Sequence, residues 1–150
     1  MLEGGAGNDR LVAGLGADTL YGGDGDDALI DGLDAAVLFG GAGRDRFVLR
    51  GAPTPADLVG DFAGGEDRVI IETGRLSGHA GPLGPLRVDD LAFGVANLDR
   101  GQLVLTVDAG LGETILWWDG DGAAGGDPML ALLRFDGTSV AIAHSDIVLV

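Results

Sequence analysis

Apolar residues recur at every ninth position through the first third of the chain. Divided into nonapeptides from Gly4, the sequence reads GGAGNDRLV, AGLGADTLY, GGDGDDALI, DGLDAAVLF and GGAGRDRFV. The eighth position is apolar each time: Leu11, Leu20, Leu29, Leu38 and Phe47. Each repeat therefore predicts a strand of three residues whose central side chain points into a shared core.

The turns between these strands are built from glycine and aspartate at fixed positions. The second position is always glycine (Gly5, Gly14, Gly23, Gly32 and Gly41), and the sixth is Asp9, Asp18, Asp27 and Asp45, with Ala36 the exception. Glycine lets the backbone take positive φ and turn its carbonyl groups inward. Calcium is a hard cation that takes about six to eight oxygen ligands from carboxylates and carbonyls. The six-residue turns offer both kinds of oxygen.

This pattern resembles the RTX (repeats-in-toxin) nonapeptide GGxGxDxUx, a calcium-binding repeat of parallel β-rolls. In that family two nonapeptides form one coil, so that loops two repeats apart stack on each other. The resemblance implies that Leu11, Leu29 and Phe47 share one sheet. Leu20 and Leu38 are then expected in the other sheet.

The resemblance also implies calcium ligands between stacked loops. The lower loop gives the carbonyls of positions two and four and its aspartate, and the upper loop gives the carbonyls of positions one and three and its aspartate. The first expected site comprises Gly5, Gly7, Asp9, Gly22, Asp24 and Asp27. The second comprises Gly23, Gly25, Asp27, Gly40, Ala42 and Asp45. Asp27 would thus bridge two well-formed sites.

A third expected site lies on the other edge of the roll. It comprises Gly14, Gly16, Asp18, Asp31, Leu33 and Ala36. Because Ala36 supplies no carboxylate, we expect this site to bind calcium more weakly, unless Asp34 or water compensates.

After Val48 the ninefold period stops. Residues 57–71 resemble the D-x-I-x-D-F-x-x-G-x-D-x-I-x-L segment that follows the roll in many RTX proteins, serralysin-type proteases among them. The resemblance implies that this segment closes the roll and that its acidic residues complete a further calcium site with Gly41, Gly43 and Asp45. It leaves open which of Asp57, Asp61 and Asp67 takes part. The alternative is a turn between two strands in which these aspartates are solvated.

Short apolar runs separated by Gly/Asp turns predict further strands at residues 103–107, 114–118, 129–133 and 147–150. The run at 129–133 is too short to distinguish a strand from a helix by periodicity. Adjacent strand residues point to opposite faces, so one of Trp117 and Trp118 should pack in the core. The expected fold is all-β: a calcium-binding parallel β-roll over residues 1–48 and a small antiparallel β cap over residues 49–150.

Composition restricts the partners of the chain. The formal net charge is −15, and the nine basic residues are all arginines, which argues against nucleic acid, anionic membranes and polyanionic substrates. The absence of cysteine excludes disulfides and zinc–thiolate sites. No run of about twenty apolar residues predicts a membrane span.

No catalytic motif is present. His79 and His144 lie far apart and belong to no H-E-x-x-H motif, and there is no G-x-S-x-G elbow. Abundant Asp/Glu pairs do not by themselves indicate a glycosidase. We therefore expect a chain that is not an enzyme by itself.

The expected function is that of a calcium-binding C-terminal module of a larger, extracellular bacterial protein, which folds when it takes up calcium outside the cell. Residues 145–150 resemble the acidic-then-hydrophobic ending of type I-secreted proteins. The expected partners are calcium ions, the type I secretion machinery and an upstream effector domain in the same polypeptide. The alternative is a polysaccharide-recognition module of a secreted carbohydrate-active enzyme, similar to the R-modules of alginate epimerases. The acidic net charge argues against an alginate ligand.

Overall fold

The structure, a computed structural model, describes residues 1–50, 56–72, 91–93, 102–119, 130–137 and 140–150. Within these ranges the chain forms thirteen strands, and a short 3-10 helix (His144–Asp146) precedes the last of them. The strands are β1 (Leu2–Ala6), β2 (Arg10–Val12), β3 (Thr19–Asp24), β4 (Ala28–Ile30), β5 (Val37–Ala42), β6 (Arg46–Leu49), β7 (Asp57–Val59), β8 (Arg68–Ile71), β9 (Leu91–Phe93), β10 (Gln102–Asp108), β11 (Glu113–Asp119), β12 (Leu130–Asp136) and β13 (Ile147–Leu149).

The repeat strands coil between two parallel sheets. β1, β3 and β5 pair in one sheet, and β2, β4 and β6 pair in the other. Leu20 lies beside Leu38 in the first sheet, while Leu11, Leu29 and Phe47 are aligned in the second. All five side chains are buried in one apolar core. The predicted coil of two nonapeptides is therefore confirmed.

The strands of the first sheet are longer than the three residues that the repeat predicts. β3 and β5 contain six residues each, because the glycine pair that opens the next loop remains in the hydrogen-bonded ladder. Gly23 lies beside Gly5 on one side and beside Gly41 on the other. In the second sheet, β2 and β4 have the predicted three residues.

The parallel stacking continues beyond residue 48. β7 pairs with β5, and β8 pairs with β6. Val59 and Val69 take the next inward places, above Leu38 and Phe47. The division into a roll of residues 1–48 and a cap of residues 49–150 stays a prediction, since the described strands form continuous sheets across that boundary.

The C-terminal half extends both sheets. β12 lies parallel to β7, β11 lies antiparallel to β12 and β10, and β9 closes the sheet beside β10, giving the order β1-β3-β5-β7-β12-β11-β10-β9. The second sheet has the order β13-β8-β6-β4-β2. The all-β class, with a parallel roll followed by antiparallel strands, is confirmed. The run at 129–133 contributes to β12, a strand rather than a helix.

One apolar core joins the two halves. Phe62 packs between Phe47 and Phe135, with ring centroids 6.0 and 5.1 Å away respectively. Trp118 is buried in this core, whereas Trp117 lies half-buried and donates a hydrogen bond to the Thr106 hydroxyl. Among the described residues there is no helix of the length and apolarity that a membrane span requires.

Candidate metal centre

The two edges of the roll carry different loops. The glycine-pair edge, where the chain passes from the first sheet to the second, comprises loops 4–9, 22–27, 40–45 and 62–67. The opposite edge, where the chain returns, begins with loops 13–18 and 31–36. The first two predicted calcium sites fall on the glycine-pair edge and the third on the opposite edge.

Four aspartates form a continuous series along the glycine-pair edge. The backbone N–H of Asp9 donates to Asp27 Oδ1 at 2.7 Å, and the N–H of Asp27 donates to Asp45 Oδ1 at 2.9 Å. The N–H of Asp45 donates to Asp67 Oδ1, also at 2.9 Å. The carboxylates of Asp27, Asp45 and Asp67 are thus each fixed by the loop below. We call Asp9, Asp27, Asp45 and Asp67 the aspartate ladder.

Among the described residues, the second oxygen atoms of three ladder residues have no hydrogen-bond partner. Oδ2 of Asp9, Asp27 and Asp45 is buried in each case, and the residues Asp27 and Asp45 are only 0% and 1% exposed. Burying a carboxylate oxygen without a partner costs several kcal/mol unless a proton or a cation compensates it. These oxygen atoms therefore need a positively charged partner.

The first glycine of each loop packs against the aspartate of its own loop and a carbonyl of the loop above. A Cβ atom placed on Gly4 would lie 2.8 Å from Asp9 Oδ2 and 2.6 Å from the Gly22 carbonyl oxygen. A Cβ on Gly22 would likewise meet Asp27 Oδ2, with the Gly40 carbonyl oxygen at 2.5 Å. A carboxylate oxygen and a carbonyl oxygen therefore lie against the same glycine, where a side chain would separate them, and calcium prefers such hard oxygen donors.

Other glycines of these loops lie directly on carbonyl groups of the loop below. Gly23 and Gly25 have φ angles of 114° and 131°, and a Cβ on either would overlap the carbonyl oxygen of Gly5 or Gly7. Only glycine tolerates both the angle and the contact. The carbonyls of Asp24 and Ala42, also expected ligands, accept hydrogen bonds from the loops below at 2.8 Å.

The residues predicted for the first two sites are therefore brought together in stacked loops. Their coordination of calcium stays a prediction. Among the described residues no group of three or more His, Cys, Asp or Glu side chains could hold a metal ion. In the expected sites most of the oxygen ligands are backbone carbonyls, which such a group does not include.

Burial raises the pKa of two ladder residues, Asp45 and Asp67. The pKa of Asp45 is raised from 3.8 to about 6, first because the carboxyl group is buried and then because the carboxylates of Asp67, Asp27 and Asp61 are near. The hydrogen bond from Asp27 N–H opposes this increase. Burial also raises the pKa of Asp67. Closely spaced acids resist ionisation unless a cation neutralises them.

The opposite edge has no such series. Asp18 Oδ2 accepts the N–H of Gly14 in its own loop at 3.1 Å. Asp34 Oδ2 accepts the N–H of Gly16 at 2.7 Å, so the compensating residue considered for the third site does reach the loop below. Stacked loops contain all six residues predicted for that site: Gly14, Gly16, Asp18, Asp31, Leu33 and Ala36. Among the described residues, the N–H of Asp18 donates to no carboxylate of the loop above, because Ala36 stands there in place of an aspartate.

The sequence left open which of three aspartates takes part in a further calcium site. In the structure these three residues lie at separate positions. Asp67 ends the aspartate ladder, 22 residues after Asp45. Asp61 accepts the N–H groups of Gly40 and Gly41 at 2.8 and 2.9 Å. Asp57 lies on the opposite edge, where Oδ1 accepts the N–H of Ala36 at 2.6 Å. A recurring Asp-Arg-apolar triplet, at 9–11, 45–47 and 67–69, is the sequence signal that marks Asp67.

The same triplets place arginines on the outer face of the second sheet. Arg10, Ala28, Arg46 and Arg68 occupy aligned positions of β2, β4, β6 and β8. With Arg44 they line a groove of about 470 Å³, which we call the arginine groove. Arg44 pairs with Asp26, and Arg68 pairs with the buried Asp146, each at 3.3 Å.

In the part of the chain that the structure describes, the other two arginines of the groove, Arg10 and Arg46, form no ion pair. The net charge of the chain does not reveal this surface, because its arginines come together only when the strands align. Four of the nine arginines line the groove.

Comparison with known proteins agrees with this architecture. Residues 3–35 match the family model of the RTX calcium-binding nonapeptide repeat, in four copies. A comparison with curated proteins finds no match to this chain. Among solved structures, the AlgE6R2 subunit of the Azotobacter vinelandii mannuronan C5-epimerase is 20% identical, with 99% of this chain and 91% of that chain covered and a TM-score of 0.58. The AlgE6R3 subunit of the same enzyme is 23% identical, with 97% and 80% covered and a TM-score of 0.34. Residues 3–35 therefore carry the RTX calcium-binding nonapeptide repeat, and the chain folds as a parallel β-roll similar to that of the AlgE6R2 subunit.

Proposed function

We propose that this chain is a calcium-dependent folding module of a larger secreted protein and is not an enzyme by itself. The observation that carries the proposal is the set of three buried Oδ2 atoms of the aspartate ladder for which the described part of the chain offers no partner. Two complete sites lie between loops 4–9, 22–27 and 40–45. A further site lies below Asp67, and a weaker one lies beside Asp18 on the opposite edge.

Calcium and folding are coupled because neither the stacked carbonyls nor the aspartate ladder exists in the unfolded chain. Binding energy then becomes folding energy. Extracellular calcium modules bind with dissociation constants of about 10⁻⁴–10⁻³ M, far above cytosolic calcium concentrations. The chain is thus unfolded inside the cell and folds after export.

Calcium binding is tested by isothermal titration of two triple variants. The first replaces Asp9, Asp27 and Asp45 with asparagine. The second replaces Glu3 and Glu66 with glutamine and Asp136 with asparagine; these three residues are exposed. Both variants lose three negative charges. The first should lose its calcium-binding isotherm and the second should keep it, whereas equal losses would refute specific sites.

Export by the type I machinery is proposed from the C-terminal residues. In the folded chain the hydrophobic ending forms β13, which pairs with β8. Asp146 is buried and accepts the N–H groups of Gly65 and Ala143 at 3.2 and 3.0 Å. The segment therefore acts as a signal while the chain is unfolded and as the closing strand afterwards.

Deleting residues 147–150 tests whether this segment serves both as an export signal and as a strand of the fold. Secretion of a fused passenger and calcium-dependent folding are measured on the same truncated protein. The proposal predicts that both are lost. Normal secretion with impaired folding would assign the segment to the fold alone.

A second candidate function is recognition of an anionic polysaccharide, and the arginine groove is the observation that favours it. Arg10 and Arg46 are exposed in the groove, whereas Asp27, Asp45 and Asp67 of the ladder are buried. The groove is also lined by Asp9, Asp26, Asp45 and Glu66. Its four arginines are therefore matched by four acidic residues, and the net charge of −15 does not describe this face. The AlgE6R2 subunit, whose fold is similar, comes from a mannuronan C5-epimerase.

The test compares short oligouronates with neutral oligosaccharides of equal length, in saturating calcium. Arg46→Gln should weaken binding of the acidic ligand, and added salt should weaken it further. Arg50→Gln is the matched control, because Arg50 lies outside the groove and pairs with Glu72 at 3.1 Å. Equal binding of both ligands, or equal effects of both variants, would eliminate this function.

A further inference from the structure

The end of the roll at the first coil is open. β1 is an edge strand of the first sheet and β2 is an edge strand of the second, so in the described part of the chain neither has a strand below it. A cavity of about 370 Å³ lies between them, lined by the inward side chains of Leu2 and Leu11 and by Glu3, Asp9 and Arg10. Unpaired strand edges of this kind are templates for further strands.

The free backbone groups of β2 point toward this open end. The Asp9 carbonyl accepts the N–H of Ala28 in the strand above, and the N–H of Ala13 donates to the same strand, each at 2.9 Å. Residues 9, 11 and 13 therefore bond upward. Peptide groups alternate in direction along a strand, so those of Arg10 and Val12 point downward, away from the roll.

The same alternation applies to β1. The Asp18 carbonyl bonds upward to the N–H of Val37 at 2.9 Å, so the peptide groups of Tyr21, three residues later, point downward. Glu3 is aligned with Tyr21 one coil lower. Equivalent residues of successive coils take the same direction, and the peptide groups of Glu3 therefore also point toward the open end.

The two edges carry opposite charges. Glu3 and Arg10 are exposed on the outer faces of β1 and β2, and neither forms an ion pair with any described residue. They belong to different sheets, and stacked sheets lie about 10 Å apart, so they do not neutralise each other within one chain. Met1 and Val12 beside them are 78% and 38% exposed. The open end is thus amphipathic and offers both signs of charge.

We propose that two copies of this chain associate end to end, with β1 of each copy pairing with β2 of the other. A two-fold axis parallel to the strands places the first sheet of one copy below the second sheet of the other, as a self-complementary interface requires. Because the chain reverses direction between β1 and β2, the strands that meet are antiparallel. When Leu2 is aligned with Leu11 of the second copy, Glu3 falls opposite Arg10 and Met1 falls opposite Val12.

This register satisfies the backbone and the charges together. In an antiparallel pair, opposite residues whose peptide groups face each other exchange two hydrogen bonds, and Glu3 and Arg10 of the second copy have this direction. Leu2 and Leu11 keep their backbone bonds within their own roll and close the cavity with their side chains. Pairing each strand with its own copy would instead gather glutamates on one sheet and arginines on the other, and like charges across a strand pair are destabilising.

Sedimentation equilibrium of the whole chain in saturating calcium tests the association. The wild-type chain should show a monomer–dimer equilibrium. Glu3→Arg and Arg10→Glu should each raise the dissociation constant about tenfold, because two attractive cross-strand pairs become repulsive. Asp136→Arg is the matched control for Glu3→Arg: it makes the same change of charge at an exposed position of β12 and should keep the wild-type constant.

Mixing the two single variants discriminates this arrangement from any other. The Glu3→Arg copy carries two arginines at its open end and the Arg10→Glu copy carries two glutamates, so the mixture should form a heterodimer although neither variant dimerises well alone. The double variant with both changes should dimerise like the wild-type chain. Single variants with the wild-type constant, or a mixture without heterodimer, would overturn the inference.

Circular dichroism of the same samples separates two kinds of failure. Both substitutions are at exposed positions, and each variant should give the wild-type β spectrum in calcium. A folded wild-type chain that stays monomeric at every concentration would overturn the association alone. A wild-type chain that stays unfolded in calcium would refute the proposed function, and this inference with it.

Discussion

The two edges of the roll have the same repeat but different chemistry. On the glycine-pair edge, aspartates recur at equivalent positions of successive coils, and each accepts an N–H from the coil below. On the opposite edge, Asp18 bonds to its own loop, Ala36 interrupts the series, and Asp57 enters from outside the repeats. Because stacked loops are two nonapeptides apart, each edge depends only on every second repeat. One substitution, at Ala36, therefore disrupts one edge and leaves the other intact.

Replacing a glycine that is stacked on the loop below should have the largest effect. Gly23→Ala adds a Cβ that overlaps the Gly5 carbonyl oxygen, at a φ of 114°. The backbone strain alone costs about 1–3 kcal/mol, and the overlap adds to it. We expect this variant to remain unfolded at calcium concentrations at which the wild-type chain folds. Thermal scans of both proteins in calcium measure the difference.

Gly14→Ala is the control, at the same repeat position in the lowest loop of the opposite edge. A Cβ at Gly14 meets no atom within 4 Å, and its φ is not positive. We expect a change in unfolding free energy within about 0.5 kcal/mol, as is usual for open surface positions. Comparable destabilisation by the two variants would contradict the close stacking of Gly23 on the loop below.

Removing single carboxylates should give the next largest effect. Asp27→Asn keeps an acceptor for the Asp9 N–H but removes a charge shared by two expected ions. We expect the calcium midpoint of folding to rise about tenfold, equivalent to about 1.4 kcal/mol. Asp18→Asn should raise it less than twofold, because Asp18 belongs to the interrupted edge. Equal shifts would mean that the ladder is not the main binding element.

Periodicity predicted the inward residues, through the ninefold recurrence of Leu11, Leu20, Leu29, Leu38 and Phe47. The two sheets and the stacked loops were implied by the resemblance to the RTX repeat and are present in the structure. Periodicity did not predict the next coil because the loops of that coil are longer. Asp57 follows Ala36 by 21 residues and Asp67 follows Asp45 by 22, instead of 18. Extra loop residues disrupt a sequence period without disrupting the stacking of the strands.

The positions of the charged residues on the surface could not be predicted from the net charge of the chain. Arg10 and Arg46 are 36 positions apart in the sequence, yet they lie two strands apart on one face. The contact between Ala36 and Asp57 likewise depends on a loop of irregular length. Such contacts follow from the three-dimensional register, which the repeat specifies only within its own length.

Acidity should have the smallest effect, through protons that compete with calcium. The folded pKa of Asp45, about 6, exceeds its ordinary value of 3.8. The folded chain therefore binds more protons than the unfolded chain between these values, and in chelator folding becomes more favourable as the pH falls from 7 to 5. In calcium the midpoint should rise over the same range, because ligands must lose their protons.

Asp45→Asn should reduce this pH dependence, whereas Asp136→Asn should not. Calcium titrations followed by circular dichroism at pH 7, 6 and 5 measure the effect. A midpoint that is independent of pH in the wild-type chain would contradict a buried, desolvated ladder.

The dependence of folding on calcium is the central claim, and circular dichroism tests it most directly. At neutral pH, in chelator, the chain should show little β signal because the carboxylates of the ladder repel each other. Millimolar calcium should produce the β spectrum, and magnesium should substitute poorly because it keeps its water ligands and demands a tighter octahedral shell. Identical β spectra in chelator and in calcium would contradict the account.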